Sequence, residues 1–450
     1  MDTTTKIIVA DTTHNCEHLL GKFLDESHYD VVINEDTDFY APPNDLAKTI
    51  GEHNVIFKFR KGLFTAEEQK GVYEGLIGAA GESQNRGLAA GPKSAMCGGR
   101  DWVTDWQLAV LDALQNPEQR LDGRHPALVL IEEKANFREE TPRGLVWLRS
   151  KVVKSGEVYE GFFDRWLTNL IQNVPVSEWS AIATTYAKTC ISATSYATAV
   201  NSGIAGFFDR YPRYPYGRIC AYNWKNPELF KLCFPYMRKL NAAFAQLLPE
   251  RYAAQKAAAD KLDKRFRVAE DTVFTTLTVN KTFRTAAHRD AGDLSVGFSN
   301  LGVISTGKDF RGGYLVLPQY RVAVNIRPGD LLLINNHEGI HGNTPIEAID
   351  GDEAGIERMS IVAYFREKMQ ELGSWEYETA RRDFVESRRL NQQHPEWRHL
   401  WNGVSANLFE SDEWAEYLIN TGNEQFLEQY HPTLYKKRNE TEASLESFFV

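Results

Sequence analysis

His288, Arg289 and Asp290 read H-x-D, and on an extended strand the first and third side chains point to the same side. One imidazole nitrogen and one carboxylate oxygen can then meet a single metal ion. A second imidazole from a distant strand completes a facial triad of two histidines and one carboxylate, the set that leaves adjacent positions open on a six-coordinate iron. His341, in HGNTP, is the candidate for that ligand. His28-Tyr29-Asp30 has the same spacing without the surrounding features and is read as a chance match.

A rival motif overlaps the site, because His337-Glu338-Gly339-Ile340-His341 fits H-E-x-x-H, the zinc-protease signature. That motif needs a helix to bring both imidazoles onto one face, with the glutamate as general base. Here it follows the strand-like LLLINN, contains Gly339 and runs into Gly342 and Pro345, so no helix is expected. His337 is left as a structural residue or as the alternative distal ligand.

Oxidising an unactivated C–H bond with O2 requires two extra electrons, which 2-oxoglutarate supplies by decarboxylating to succinate. This co-substrate chelates iron through its C1 carboxylate and C2 keto oxygen, and its far carboxylate needs a buried cation. Arg358 can offer a bidentate fork there, with the Ser360 hydroxyl two residues along the same strand face. The blander reading is a surface arginine at a strand start. Asn280 and Arg284 are candidates for the C1 carboxylate or the substrate pocket.

These residues must be positioned by the segment from Thr272 to Arg366. TVFTTLTVN, LSVGFSNLGVIS, GGYLVLPQY, RVAVNI, DLLLINN and MSIVAYF are short β-branched and aromatic runs separated by turn residues, the pattern of a sandwich or barrel. Upstream, residues 1 to about 70 carry short runs, Lys6 to Ala10 and Asn54 to Phe59, that predict small strands. Gly71 to Gly99 is rich in glycine and alanine, which suits a mobile surface loop or a backbone approaching a ligand. Asp101 to Leu114 and Val158 to Ile171 have helical spacing, and Pro227 to Lys264 predicts a long helix supporting the sheet. Beyond Glu367 the sequence returns to helix, with EYETARRDFVESRRL as a solvated one. The resulting division is residues 1–200 as an N-terminal α/β elaboration, 201–370 as the catalytic core with its support helix, and 371–450 as a helical extension.

Between Phe207 and Trp224, arginines alternate with tyrosines, and Arg213, Tyr214, Tyr216 and Arg218 could stack on and hold bases of a nucleic acid. An ordinary Tyr-rich loop packed on the core accounts for them equally well.

A chain of 450 residues with 42% hydrophobic content can bury a large core. No segment approaches the roughly 20 apolar residues of a membrane span, and no export signal opens the sequence. Five scattered cysteines without C-x-x-C spacing argue against a disulfide framework and for a reducing cytoplasm. The formal net charge of −10 weighs against a nucleic-acid partner, although a local groove can be basic on an acidic protein.

TAAHRDAGDLSVGFSNLGVIS, FRGGYLVLPQYRVAVNIRPGDLLLINNHEGIHGNTPI and ERMSIVAYFRE together resemble the TET/JBP family of dioxygenases, which oxidise the methyl group of 5-methylpyrimidines in nucleic acid. The resemblance covers roughly Thr272 to Arg366. It implies an α+β fold, a double-stranded β-helix (jelly-roll) core with flanking helices. It implies Fe(II) on His288, Asp290 and His341, and 2-oxoglutarate on Arg358 with Ser360, with O2 as co-substrate. It implies hydroxylation of 5-methylcytosine or thymine in DNA, with the base flipped into the pocket. The Cys-rich zinc-binding region of animal TET proteins is lacking, which points to a microbial or phage-like branch, and so to the cytoplasm or a host cytoplasm; a eukaryotic source would place it in the nucleus. The alternative is a dioxygenase acting on a small molecule, an amino acid or a protein side chain, because the same fold serves many substrates.

Overall fold

A computed structural model describes residues 5–43, 49–83, 86–91, 105–115, 125–136, 166–167, 170–190, 200–211, 214–290, 292–352, 355–390 and 408–439. They form two compact units, one of residues 1–83 with 200–450 and one of residues 84–199.

The strands, in chain order, are β1 Lys6–Val9, β2 Val31–Ile33, β3 Thr37–Tyr40, β4 Val55–Arg60, β5 Glu82–Ser83, β6 Val200–Phe208, β7 Arg218–Ile219 and β8 Thr276–Lys281. They continue as β9 Ser299–Ser305, β10 Phe310–Gly312, β11 Leu315–Leu317, β12 Val322–Val324, β13 Leu331–Ile334, β14 Gly342–Asn343, β15 Ile346–Ala348 and β16 Arg358–Tyr364. The larger sheet runs β1-β3-β4-β13-β9-β16-β8-β6-β5, with β7 on β6, and a smaller one runs β14-β11-β12-β2. His288 joins the smaller sheet through an antiparallel bridge to His341, just before β14. The chain therefore alternates between two facing sheets, β8-β16-β9-β13 on one side and the His288 strand with β14-β11-β12 on the other. That is the winding of a double-stranded β-helix within an α+β fold.

Strand alternation divides the chemistry. On β16, Arg358, Ser360, Val362 and Tyr364 share one face, and Met359, Ile361 and Ala363 share the other. Ser360 lies between Asn280 of β8 and Val303 of β9, and Val362 between Thr278 and Leu301. Leu301, Val303, Leu315, Leu317, Val322, Val324, Leu332, Ile334 and Val362 fill the space between the sheets, extended by Phe39, Phe57 and Phe59 from the N-terminal strands. The opposite face packs Leu277, Val279, Ile304, Met359 and Ile361 against helices.

The support region is broken where the sequence predicts one long helix. Helices Pro227–Lys231, Phe234–Leu247 and Pro249–Lys261 each begin with a proline in the first turn, because proline lacks the N–H that a helix interior needs and suits a start. The central one buries Tyr236, Met237, Leu240, Ala243 and Phe244, a single face at helical spacing.

Much of the Gly71 to Gly99 segment is ordered structure rather than a mobile loop. Thr65 and Glu68 form a capping box that starts helix Ala66–Leu76. A Cβ on Gly75 would stand 2.8 Å from the Leu229 carbonyl oxygen, so this glycine serves close helix packing. Residues 84–85 and 92–99 of the segment lie outside the described residues. The predicted strands near residues 6 and 54 are β1 and β4. Helix Trp375–Leu390 is amphipathic rather than simply solvated, with Tyr377, Ala380, Phe384 and Val385 packed against Trp414 and Leu418.

In the second unit, helices Asp105–Gln115, Pro126–Asn136 and Trp179–Cys190 enclose a core of Val110, Leu114, Ile131, Leu167 and Trp179. The first matches the helix expected from Asp101 to Leu114. Of Val158 to Ile171 only four residues are described, and they are helical.

Ile361 is fully buried on the helix-facing side of β16, whereas Val296 is 45% exposed. Ile361→Ala is expected to lower unfolding free energy by about 2–5 kcal/mol, and Val296→Ala by less than about 0.5 kcal/mol, in urea titrations followed by circular dichroism.

Candidate active site

Main-chain pairing builds the metal-binding geometry. His288 N–H donates to the His341 carbonyl at 2.9 Å, and His341 N–H donates back at 3.0 Å. This two-way exchange sets the imidazoles side by side, 4.3 Å between ring centres. The Asp290 carboxylate faces both, 3.4 Å from His288 Nε2 and 3.9 Å from His341 Nε2. One ligand atom from each residue lies within 4.8 Å of the others, the only such group of three among the described residues.

The groups around the triad orient it. His288 Nδ1 lies 2.8 Å from the Ala286 carbonyl, and His341 Nδ1 3.0 Å from that of Gly339. A proton on each Nδ1 can donate to these carbonyls, leaving each Nε2 lone pair turned to the shared space. Asn336 Nδ2 donates to Asp290 Oδ2 at 3.0 Å, and the Asp290 N–H donates to the Asn336 carbonyl. Burial pulls His341 down to about 4, helped by the neighbouring His288, so this imidazole is neutral at neutral pH. Burial raises the Asp290 carboxyl, but the His288 hydrogen bond, the charges of both histidines and the Asn336 amide outweigh it and hold the group at about 2. Burial also lowers His288, and there the Asp290 contact prevails and raises it. An ionised carboxylate facing two imidazoles at these separations attracts one positive charge, as a proton on His288 or as a metal ion. The donor set suits Fe(II), two imidazoles and a carboxylate grouped on one side.

The rival motif is not a helix. Residues 336–339 form a turn, and Glu338 is tied to Asn335, whose Nδ2 donates to Glu338 Oε2 at 3.1 Å. His337 lies outside the triad. His28-Tyr29-Asp30 is a local structure in which His28 contacts Asp25 and Asp30 pairs with Arg321.

Arg358 opens β16 with its side chain between the sheets, only 3% exposed. Its Nη2 reaches the Gly313 carbonyl at 3.5 Å, and its Nε has no partner. Gly313 stands beside it at φ +65°, a left-handed backbone conformation that favours glycine. Burial, and then the nearby Arg327 charge, push Arg358 down to about 10. A buried guanidinium with no acid partner among the described residues is a fit for the far carboxylate of 2-oxoglutarate.

Ser360 lies on the same face. Asn280 is engaged between Ser202, whose hydroxyl donates to its Oδ1, and the Ser360 hydroxyl. The Arg284 guanidinium donates to the Leu24 and Asn343 carbonyls and lies over the Phe23 ring.

A polar wall beside Asp290 was not expected from the sequence. The Ser299 hydroxyl donates to Asp293, Arg366 Nε donates to Asp209 at 2.7 Å, and the Arg366 guanidinium lies 4.0 Å from the Phe208 ring centre. Burial, and then the Asp290 charge, raise the Asp293 carboxyl well above the ordinary range. Burial, and then the Asp293 charge, push Tyr364 to about 12. Asp209 and Arg366 follow the ends of β6 and β16, and Asp293 precedes β9, so no strand period in the sequence marks them.

The expected base contacts do not gather at the triad. Arg213 lies outside the described residues. Tyr214, Tyr216 and Arg218 line an open cavity of about 380 Å3 with Trp224, Phe266 and Trp375, and no triad residue lines it. Tyr216 is a packing residue, 6% exposed in the cluster formed with the C-terminal helices, and its hydroxyl donates to Glu386. Arg218 is sandwiched near the rings of Phe208 and Tyr214.

Residues 212–367 match the Tet_JBP family, the oxygenase domain of the 2OGFeDO superfamily. Thymine dioxygenase JBP1-B of Trypanosoma cruzi (strain CL Brener) is 35% identical over 173 residues, 38% of this chain and 20% of that protein. Thymine dioxygenase JBP1 of Crithidia fasciculata is 31% identical over 206 residues, 43% of this chain and 24% of that protein. The chain thus spans about a fifth to a quarter of the length of these curated relatives. The solved structure of NgTET1 in complex with 5mC DNA is 10% identical, with a TM-score of 0.39 over 83% of this chain and 86% of that chain. The family match falls on the strands that carry the His-Asp-His group and Arg358, so residues 212–367 are similar to the oxygenase domain of the TET/JBP family, within a superfamily whose cofactors are Fe(II) and 2-oxoglutarate.

Proposed function

We propose that this protein is an Fe(II)- and 2-oxoglutarate-dependent dioxygenase that hydroxylates the methyl group of a 5-methylpyrimidine, 5-methylcytosine or thymine, in DNA. His288, Asp290 and His341 hold the iron, and Arg358 with Ser360 holds the far carboxylate of 2-oxoglutarate. Residues 201–370 carry this chemistry, with 1–200 and 371–450 as flanking segments. The observation that carries the proposal is a buried, acid-free Arg358 between the same two sheets whose edge presents the His-Asp-His group. The thymine dioxygenase names of the relatives support the substrate class.

Bound together, iron and 2-oxoglutarate supply the two electrons that oxidation of a methyl C–H by O2 requires. The protein's own part is positioning and exclusion. The Ala286 and Gly339 carbonyls fix the imidazoles, Asn336 fixes Asp290, and Leu315, Leu317 and Val362 keep the space between the sheets dry. Asp293, Tyr364 and Arg366 form the polar wall beside Asp290 and are the groups available to hydrogen-bond a pyrimidine edge. No described helix is long and apolar enough to cross a membrane, and the compartment follows the substrate, the one that holds the DNA. The net charge of −10 favours a second reading, oxidation of a small molecule or a protein side chain.

Incubation with Fe(II), 2-oxoglutarate and DNA containing 5-methylcytosine and thymine, followed by nucleoside mass spectrometry, is expected to show one added oxygen on one pyrimidine together with succinate. Succinate without any altered nucleoside would move the assignment to the second reading.

His288→Ala and Asp290→Ala are expected to abolish iron retention, measured by plasma mass spectrometry, and succinate formation, with the circular dichroism spectrum unchanged. Succinate formation retained in either variant would sink the metal assignment. Arg358→Met removes a buried cation that has no acid partner, so unfolding stability in anion-free buffer is expected to rise by about 1–4 kcal/mol. The same variant should lose the increase in Tm that 2-oxoglutarate gives the unmodified chain.

A further inference from the structure

A second guanidinium stands near Arg358 without a role in the chemistry described so far. Arg327 precedes the Pro328-Gly329 turn into β13, and its guanidinium lies 4.7 Å from the centre of the Phe310 ring, which Arg358 approaches at 6.0 Å. Arg327 also lies 5.5 Å from the centre of the Tyr314 ring, while its Nη1 is buried with no partner. The two cations act on each other, since the Arg327 charge is the second cause, after burial, that disfavours the charged form of Arg358.

Among the described residues, no carboxylate pairs with either arginine. Asp330 is the acid whose charge reaches Arg327. Its oxygens are taken by the Gly62 N–H at 2.9 Å, Lys61 Nζ at 3.1 Å and the Arg327 backbone N–H at 2.9 Å, so it holds the turn and leaves the side chain alone. Two guanidinium groups around one aromatic ring, both partly or wholly withdrawn from water, repel each other and carry a desolvation cost. An anion removes both penalties, and a carboxylate has about four acceptor sites, enough for two guanidinium forks.

We propose that Arg327 is the second cation of the co-substrate's far-carboxylate site and acts with Arg358 to select an oxo-diacid over an oxo-monoacid, on the same assignment of Arg358 made above. Tyr314 holds the Arg327 side chain, and Phe310 gives both guanidinium groups a common apolar surface. Arg327 is thus a specificity-determining residue.

The test is anaerobic titration calorimetry on the Fe(II)-loaded full chain with two ligands, 2-oxoglutarate and 2-oxopentanoate, which has the same carbon chain without the far carboxylate. Arg327→Gln is expected to weaken 2-oxoglutarate binding roughly 10- to 100-fold and to leave 2-oxopentanoate binding within about twofold. Arg327→Lys keeps the charge but not the fork, so it recovers part of the loss, and it carries the test if the glutamine variant does not fold. Unchanged 2-oxoglutarate affinity in both variants, or an equal loss for both ligands, overturns the role of Arg327. A failure of the underlying assignment looks different: the unmodified chain would bind both acids equally, or Arg358→Gln would leave the preference for the diacid intact, and the role of Arg327 would fall with it.

Discussion

The exchange of two main-chain hydrogen bonds between His288 and His341 is the constraint on which the site depends. It joins the strand carrying H-x-D to the segment leading into β14, and so fixes two imidazoles that the sequence holds far apart. Side-chain contacts alone would leave each ring free to rotate. Pairing at the backbone, with each Nδ1 directed to a carbonyl two residues earlier in its own segment, leaves one orientation in which both Nε2 atoms face Asp290.

The second constraint is the two-residue period of the strands. β16 is buried on both faces, and the alternation sends Arg358, Ser360 and Tyr364 toward the chemistry while Met359, Ile361 and Ala363 anchor the sheet to the helices. A one-residue slip would exchange the sets, placing a cation among Leu277 and Val279. Register is therefore enforced by packing, and the geometry of the site follows from it.

The triad and Arg358 were legible because residue type and local spacing carry their signal: H-x-D on a strand, a histidine in a turn rich in glycine and proline, and R-x-S opening a β run. The order of short strands likewise gave the β core. What was not legible depends on distant parts of the chain. Arg327 and Arg358 come together beside Phe310, which belongs to neither segment. Asp293 became notable only once Ser299 and the Asp290 charge were placed beside it. Arg284 is held by the Leu24 and Asn343 carbonyls, contacts that its spacing from Asn280 does not reveal. Tyr216 has the composition of a stacking residue, but helix Trp375–Leu390 covers its ring, a contact invisible in the local Arg-Tyr pattern. The single long helix failed for a readable reason, since the prolines that break it are in the sequence.

A site built this way leaves the core incomplete in a particular sense. Among the described residues, buried charges such as Asp330 and Glu378 are matched, the first by Lys61 and the second by Arg210 and the Gly217 and Gly373 N–H groups. Among the described residues no carboxylate matches Arg358, and neighbouring Arg327 adds to its cost. The interior thus has a surplus of positive charge at one end and, at the other, an ionised Asp290 that draws a cation. An anion at the first and a metal ion at the second would each relieve a penalty already present in the fold. Binding of both is then coupled to folding stability by mass action, and the polarity of the interior orients a co-substrate whose two ends differ in the same way.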